Sequence, residues 1–208
     1  MDFVFAAPVK FISFFLHGAL GTASQFQQLI EPLTEHYDIH TITFSGHGDV
    51  PLSEQGFSVQ VFAGEVLTYL EEKEIDYIHI FGYSMGGYVG MYLARHYPEK
   101  IGKVITLGTK FNWNEATAGK EVKQLDPDLI QEKAPAFAIA LKDRHPGHDW
   151  KDVVSMTAQL IEELGHQSLL KPGDYTQIVS PCLVMMGDRD GMVSFSETIE
   201  VYKSLPLA

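Results

Sequence analysis

Six residues near the middle of the chain combine a nucleophilic side chain with closely spaced glycines, in the order Gly82-Tyr83-Ser84-Met85-Gly86-Gly87. They match G-x-S-x-G, the pattern of a sharp strand-to-helix turn that exposes a serine hydroxyl. Larger residues at the flanking glycines would collide with neighbouring backbone. The following helix would direct its dipole and free N–H groups at a developing oxyanion. The motif predicts that Ser84 is a nucleophile for acyl transfer. A glycine-rich turn that only packs a helix on a strand is the alternative.

The residues on either side of this motif have the patterns that such a turn requires. Residues 77–81 are predicted to form a strand, and residues 85–96 a helix. Further strands are predicted at 11–16, 37–44, 103–107 and 180–186, and further helices at 22–35, 58–73, 150–164 and 194–204. Residues 111–148 have weak periodicity and three prolines, which indicates an inserted segment of short helices. The alternation predicts an α/β fold, with a mostly parallel sheet flanked by helices, in a single domain over residues 1–208.

The motif and its flanking elements resemble the α/β-hydrolase superfamily, in its serine hydrolase branch, from about residue 11 to the end of the chain. This resemblance implies an α/β-hydrolase core with a small helical cap at about residues 111–148. Leu16-His17-Gly18-Ala19-Leu20-Gly21 is similar to the HG-x-x-G loop of the family, which supplies an oxyanion donor. Carried over, the oxyanion hole consists of the backbone N–H groups of Ala19 and Met85. His17 and His47 are expected to brace their loops.

The expected catalytic acid lies in Gly187-Asp188-Arg189-Asp190-Gly191-Met192-Val193. This stretch is similar to the family pattern G-x-x-D-x-x-V, which assigns the acid to Asp190. Its carboxylate would orient a histidine and stabilise the imidazolium that forms during acyl transfer. Asp188 is interpreted as a turn residue that pairs with Arg189 or caps backbone N–H groups.

No histidine follows Asp190 in this sequence, although the resemblance implies one there. A serine hydroxyl is a poor nucleophile without a base within hydrogen-bonding reach. We expect the last strand, the histidine loop and the last helix of the family to be absent, as in a truncated chain. His145 and His148 are alternative bases. The strand at 180–186 would then form an exposed apolar edge of the sheet, which predicts a homo-oligomer.

The inserted segment is expected to cover the site, and its apolar side chains have two interpretations. Phe111, Trp113, Phe137, Ile139 and Leu141 line a substrate pocket or form the core of the cap itself. The expected substrate-binding residues are His17, Tyr83, Phe111 and Trp113, and the expected partner is a small-molecule acyl substrate. Clustered metal ligands and a phosphate loop are not visible in the sequence, so neither a metal nor a cofactor is expected.

Three functions are compatible with these residues. The leading hypothesis is a serine esterase that forms an acyl-Ser84 intermediate, with the activity of this chain left open by the missing histidine. The second is a C–C bond lyase similar to the menaquinone-pathway member of the superfamily, which binds an anionic substrate through cap arginines. The segment 111–148 contains only one arginine, Arg144, which disfavours that reading. The third is a non-catalytic protein with this fold.

Composition and charge restrict the remaining possibilities. The 208 residues are 45% hydrophobic and 20% charged, as in globular proteins, and the formal net charge is -12. An acidic surface repels nucleic acid and anionic membranes, so neither is an expected partner. The single cysteine, Cys182, lies in an apolar run, and a cytoplasmic location fits. The apolar residues near the N-terminus carry Asp2 in place of a positive charge, so a short strand is favoured over a signal peptide.

Overall fold

A computed structural model describes residues 10–208, and the strand expected near the N-terminus lies outside this range. Five strands form one sheet in the order β2-β1-β3-β4-β5, and every adjacent pair is parallel. The strands are β1 (Phe11–Leu16), β2 (Tyr37–Ile42), β3 (Ile78–Tyr83), β4 (Ile101–Leu107) and β5 (Cys182–Met185). This parallel sheet confirms the predicted α/β class.

Helices connect the strands and cover the sheet. They are α1 (Gln27–Ile30), α2 (Val59–Glu72), α3 (Met85–His96), α4 (Glu115–Val122), α5 (Pro127–Lys133), α6 (Pro135–Arg144), α7 (Trp150–His166), α8 (Pro172–Tyr175) and α9 (Phe195–Ser204). Within residues 10–208, no helix has the length and apolar character needed to cross a membrane. The predicted segment of short helices after β4 corresponds to α4, α5 and α6.

The long helix predicted at residues 22–35 is wrong. This stretch consists of α1 between two short 3-10 segments, Ala23–Phe26 and Glu31–Leu33. Pro32 lies in the second segment, where it has no N–H to donate and its ring clashes with the carbonyl four residues earlier in an α-helix. Leu29 is therefore exposed rather than packed in the core.

Two predicted strands are longer than the observed ones. The strand at 37–44 ends at Ile42, because the N–H of Phe44 donates to Nε2 of His17 at 3.0 Å instead of to the sheet. The strand at 180–186 is shortened to β5, which is the outer strand of the sheet. The N–H of Cys182 on its outer side donates to the carbonyl of Leu207 at 2.7 Å. Part of the expected free edge is thus covered.

The core has two parts. The larger part lies between the sheet and the helices α2 and α3 and contains Phe14, Phe62 and Val104. The smaller part is the core of the cap, formed by Leu20, Ile130, Ala138, Leu141, Trp150, Val153 and Val154. Helix α7 contributes three of these side chains, so the helical layer of the cap extends beyond residue 148.

The five apolar side chains predicted for the cap separate in the structure. Leu141 belongs to the core of the cap, whereas Phe111 belongs to the larger core and Trp113 packs against it. Phe137 and Ile139 are exposed. Neither of the two original interpretations therefore applies to the whole set.

Candidate active site

Ser84 occupies a strained turn between β3 and α3. Its φ of 51° and ψ of -116° lie in a region that costs a non-glycine residue about 1–3 kcal/mol. Its N–H donates to the carbonyl of Leu107 on β4 at 2.9 Å. Its own carbonyl accepts hydrogen bonds from the N–H of Gly87 at 3.0 Å and from Oγ1 of Thr109 at 3.1 Å. These bonds hold the strained residue from both sides.

Glycines allow the turn to close this tightly. A Cβ atom at Gly82 would overlap the backbone of Gly87, and a Cβ atom at Gly86 would overlap the carbonyl of Leu16. Backbone atoms cannot move away as a flexible side chain can. The spacing of small residues in the motif therefore follows from close backbone contacts, as the sequence predicts.

The loop after β1 comes close to Ser84. A Cβ atom at Gly18 would lie 3.2 Å from Cβ of Ser84 and 2.9 Å from the ring of Tyr83. Ser84 is partly exposed, and the side chain of Tyr83 is exposed beside it. Tyr83 is thus the predicted substrate-binding residue that the structure places next to Ser84.

The two amides expected in the oxyanion hole flank this approach. Ala19 lies in the loop after β1, and Met85 is the first residue of α3. Within the part of the chain that the structure describes, neither backbone N–H donates a hydrogen bond to the protein. Free N–H groups at a helix start and in a facing loop are suited to binding an oxyanion.

His17 braces the loop after β1. Its ring is fully buried, its Nδ1 donates to the carbonyl of Gly18 at 2.8 Å, and its Nε2 accepts from the N–H of Phe44. Burial lowers the pKa of His17 to about 4, so the ring is neutral at pH 7. A ring with no exposed surface cannot contact a substrate, so the brace role fits its position and the expected substrate-binding role does not.

His47 and His145 form a buried histidine cluster with His17. The ring centroids of His47 lie 4.9 Å from His17 and 5.9 Å from His145. Burial lowers the pKa of His47 to about 3 and also lowers the pKa of His145. His148 lies outside the cluster, with its Nε2 within 2.7 Å of the carbonyl of Val50.

These contacts bear on the two alternative bases. Nδ1 of His145 accepts from the N–H of Gly48 at 2.8 Å, and its Nε2 lies 3.2 Å from the carbonyl of Leu20. His145 and His148 are thus both engaged with loop backbone. Among residues 10–208, the structure records no hydrogen bond from any side chain to Oγ of Ser84.

Asp190 lies near the carboxyl end of the sheet, close to the turn. A Cβ atom at Gly108 would lie 3.3 Å from Oδ2 of Asp190 and 3.7 Å from the ring of Tyr83. Oδ1 of Asp190 accepts from the N–H groups of Met192 and Val193 at 2.9 and 3.0 Å. Asp190 therefore caps its own loop through Oδ1. Its Oδ2 accepts no hydrogen bond from the described residues.

Asp188 has a different position. Its carboxylate is exposed and lies 4.0 Å from Nε of Arg189, so it pairs weakly as the sequence suggested. The capping contacts that the sequence assigned to Asp188 as an alternative are made by Asp190.

Phe111 and Trp113 are found in the lining of one cleft. They line a cleft of about 270 Å³ together with Leu170, Tyr175 and Val201. The described lining of this cleft does not include Ser84. The structure therefore places these two predicted substrate-binding residues in a cleft that Ser84 does not line.

A buried charged cluster beside the loop that carries Asp190 was not predicted from the sequence. Nζ of Lys110 donates to the carbonyl of Met192 at 2.8 Å and lies 3.6 Å from Glu121 and 3.8 Å from Glu197. Glu197 also accepts from the N–H of Phe111 at 3.0 Å. The only sequence signal was the spacing of Ser194 and Glu197, which is that of a capping box at the start of α9.

Comparison with known proteins identifies relatives of part of this chain. The chain is similar to 3-oxoadipate enol-lactonase 2 of Acinetobacter baylyi, with 31% identity over 108 residues, or 51% of this chain and 40% of the relative. It is 30% identical over 95 residues to pimeloyl-[acyl-carrier protein] methyl ester esterase of Aeromonas hydrophila, or 45% of this chain and 36% of the relative. These matches span two fifths or less of the relatives' own length.

Solved structures and a family model extend the comparison. The enol-lactonase from Burkholderia xenovorans superposes with a TM-score of 0.74 at 17% identity, covering 95% of this chain and 80% of that chain. At that identity the likeness concerns the fold alone. The family model described as the alpha/beta hydrolase fold matches residues 14–129, which is more than half of the chain. The chain therefore belongs to the α/β-hydrolase fold family.

Proposed function

We propose that this protein is a serine hydrolase of carboxylic esters or related acyl compounds, in which Ser84 forms the acyl intermediate. The observation that carries the proposal is the strained conformation of Ser84, next to the loop of Ala19 and the helix start at Met85, whose amides donate to no described acceptor. Strain of this kind persists where the surrounding structure maintains it, and it concentrates at functional sites. The names of the relatives, an esterase and an enol-lactonase, support the same reaction class.

The proposed reaction has two steps. Oγ of Ser84 bonds to the carbonyl carbon of the ester, and the carbonyl oxygen becomes an oxyanion between the N–H groups of Ala19 and Met85. The C–O bond to the alcohol then breaks, and the alcohol leaves with a proton. Water attacks the acyl-enzyme, which releases the carboxylic acid and returns the proton to Oγ. Stabilisation of the oxyanion by each donor is worth about 100- to 1,000-fold in rate.

The proton of Oγ needs an acceptor in the first step. The rings of His17, His145 and His148 are engaged with backbone groups elsewhere. We therefore propose that the proton of Oγ is accepted by a base dissolved in the solvent. Imidazole, the functional group of a histidine side chain, represents this class of base. Asp190, with its free Oδ2 near Tyr83, is proposed as the carboxylate that would orient such an imidazole.

A non-catalytic role is the second candidate, and one observation favours it. Oγ of Ser84 has no partner among the side chains of residues 10–208 that would increase its nucleophilicity. A protein with this arrangement would retain the fold and the turn without the reaction.

Labelling by a fluorophosphonate separates the two candidates. Oγ of an activated serine displaces fluoride from the phosphorus atom, and the phosphoryl oxygen occupies the proposed oxyanion hole. We expect labelling at Ser84 that accelerates when imidazole is added, and no labelling of Ser84→Ala. Ser155→Ala is the matched control, because Ser155 is exposed and its hydroxyl bonds only within α7.

Each result has a definite meaning. Hydrolysis of short p-nitrophenyl esters by the protein before labelling, and its loss once Ser84 is labelled, would support an esterase over a lyase. Absence of labelling at all imidazole concentrations, in a protein that remains folded, would reject the proposed hydrolase and support the non-catalytic candidate.

A further inference from the structure

The carbonyl group of Leu20 is held by two side chains from the end of one cap helix. Nη1 of Arg144, the last residue of α6, donates to it at 2.9 Å. Nε2 of the adjacent His145 lies 3.2 Å from the same oxygen. Two donors from consecutive residues on one loop carbonyl make a specific link between the cap and the loop after β1.

The orientation of the Leu20 carbonyl depends on an unusual backbone conformation. Leu20 has a φ of 58°, a left-handed value that is uncommon for a residue with a branched side chain. The N–H of Gly21 donates to the carbonyl of Gly18 at 3.1 Å and closes a tight turn around Ala19 and Leu20. Maintaining this conformation requires stabilising contacts, and the two donors supply them.

The hydrogen bonds of His145 define its tautomer. Because Nδ1 accepts from the N–H of Gly48 at 2.8 Å, the ring hydrogen lies on Nε2, which donates to Leu20. His145 therefore connects three segments, the end of α6, the loop after β1 and the loop after β2. Its ring is fully buried, so these contacts are not exchanged with water.

The side chain of Leu20 strengthens the same link. It belongs to the core of the cap, where it lies in one cluster with Leu141 and Trp150. The residue that directly precedes it, Ala19, carries one of the two amides proposed for the oxyanion hole. The cap thus holds the neighbour of an oxyanion donor through both its backbone and its side chain.

We propose that Arg144 and His145 are positioning residues that direct the N–H of Ala19 into the oxyanion hole, so that the cap controls the catalytic competence of the core. This inference rests on the proposed function of Ser84. Neither side chain needs to contact the reacting atoms. Displacement of a donor by about 1 Å from a distant change can lower a rate by about 100-fold.

The test separates binding of a fluorophosphonate from bond formation. We expect Arg144→Met to lower the maximal rate of labelling at Ser84 by roughly tenfold, with the half-saturating concentration unchanged, because the donor stabilises the transition state. Arg95→Met is the matched control, since Arg95 pairs with Asp174 and Gln177 on the far end of α3.

Conservative replacements of His145 test the direction of its hydrogen bonds. The amide nitrogen of glutamine can reach the position of Nε2, so His145→Gln should retain donation to Leu20 and most of the rate. His145→Leu removes both hydrogen bonds. It should lower the maximal labelling rate at Ser84 at least as much as Arg144→Met does. If His145 only stabilised the fold, the labelling rate would fall in proportion to the loss of folded protein. Urea denaturation of each variant measures that loss.

A second readout does not depend on activity. The backbone amide of Ala19 should change its NMR chemical shift and exchange faster with solvent in Arg144→Met, but not in Arg95→Met. If the wild-type protein is not labelled, the proposed hydrolase function is rejected. The Ala19 amide then still shows whether Arg144 positions the loop after β1. Unchanged labelling together with an unchanged Ala19 amide in Arg144→Met and His145→Leu would overturn the inference.

Discussion

Nζ of Lys110 donates to the carbonyl of Met192 at 2.8 Å, which ties the end of β4 to the loop that carries Asp190. The ammonium group also lies within 4.0 Å of two carboxylates, those of Glu121 on α4 and Glu197 on α9. All three side chains are at least nine-tenths buried. One lysine therefore joins the sheet, the cap and the proposed acid loop.

Replacing Lys110 should destabilise the protein strongly. Lys110→Met leaves two buried carboxylates without their cation, and breaking a buried ion pair in this way costs about 3–5 kcal/mol. Urea denaturation should show this loss, whereas the exposed Lys120→Met on α4 should change the free energy of unfolding by less than about 0.5 kcal/mol. The double variant Lys110→Met/Glu121→Gln should recover part of the loss. An unchanged unfolding midpoint in Lys110→Met would show that the cluster does not stabilise the fold.

The tight turn at Ser84 makes a prediction about two glycines. Gly86→Ala should reduce the free energy of unfolding by about 3 kcal/mol or more, because the new Cβ overlaps the carbonyl of Leu16. Gly64→Ala on α2 should increase it by about 1 kcal/mol, since a Cβ there meets open space and alanine favours the helix. Thermal unfolding of the two variants measures the difference. Equal stability of both would mean that the backbones at Leu16 and Gly86 are not in contact.

The buried histidine cluster predicts a dependence of stability on pH. The pKa is about 4 for His17 and about 3 for His47 in the folded protein, against the ordinary histidine value of 6.5 in the unfolded chain. At pH values between the folded and the unfolded pKa, the unfolded chain binds more protons than the folded protein. The free energy of unfolding therefore falls as the pH decreases. The stability is fully present above about pH 7, and each group should remove about 2 kcal/mol by about pH 5.

Urea denaturation at a series of pH values checks this dependence. His47→Phe keeps aromatic packing against Phe57 and removes one titrating ring, so its stability should fall less between about pH 7 and pH 5. His36→Gln replaces an exposed histidine and serves as the control. A wild-type protein whose stability is constant over this interval would contradict the burial of the cluster.

The outer strand β5 is the proposed site of self-association. The tail residue Leu207 covers the N–H of Cys182, but Leu183 remains 53% exposed on this strand. We expect an oligomer at micromolar concentration in sedimentation velocity, and its dissociation in Leu183→Lys, because a charge on an edge strand opposes pairing with another chain. Ile139→Lys on α6, where Ile139 is also exposed, should leave the oligomer intact. A wild-type monomer at these concentrations would end the proposal.

Local sequence patterns determined much of the fold. The order of strands and helices and the bounds of α3 followed from apolar periodicity and the Gly82–Gly87 motif, because these signals act over a few neighbouring residues. The position of Ser84 in a strained turn followed for the same reason. The broken helix around Pro32 shows the limit of periodicity, since the proline that interrupts it outweighs a regular apolar face.

Contacts between distant segments were decided only by the tertiary structure. Lys110 and Met192 are 82 residues apart, and Arg144 and Leu20 are 124 apart, so no spacing in the sequence relates them. The cleft that holds Phe111 and Trp113 is likewise lined by Tyr175 of α8 and Val201 of α9. The sequence by itself determined which residue is strained, because the glycine spacing of the turn is a local signal. Which side chains support it depends on packing and burial across the whole chain.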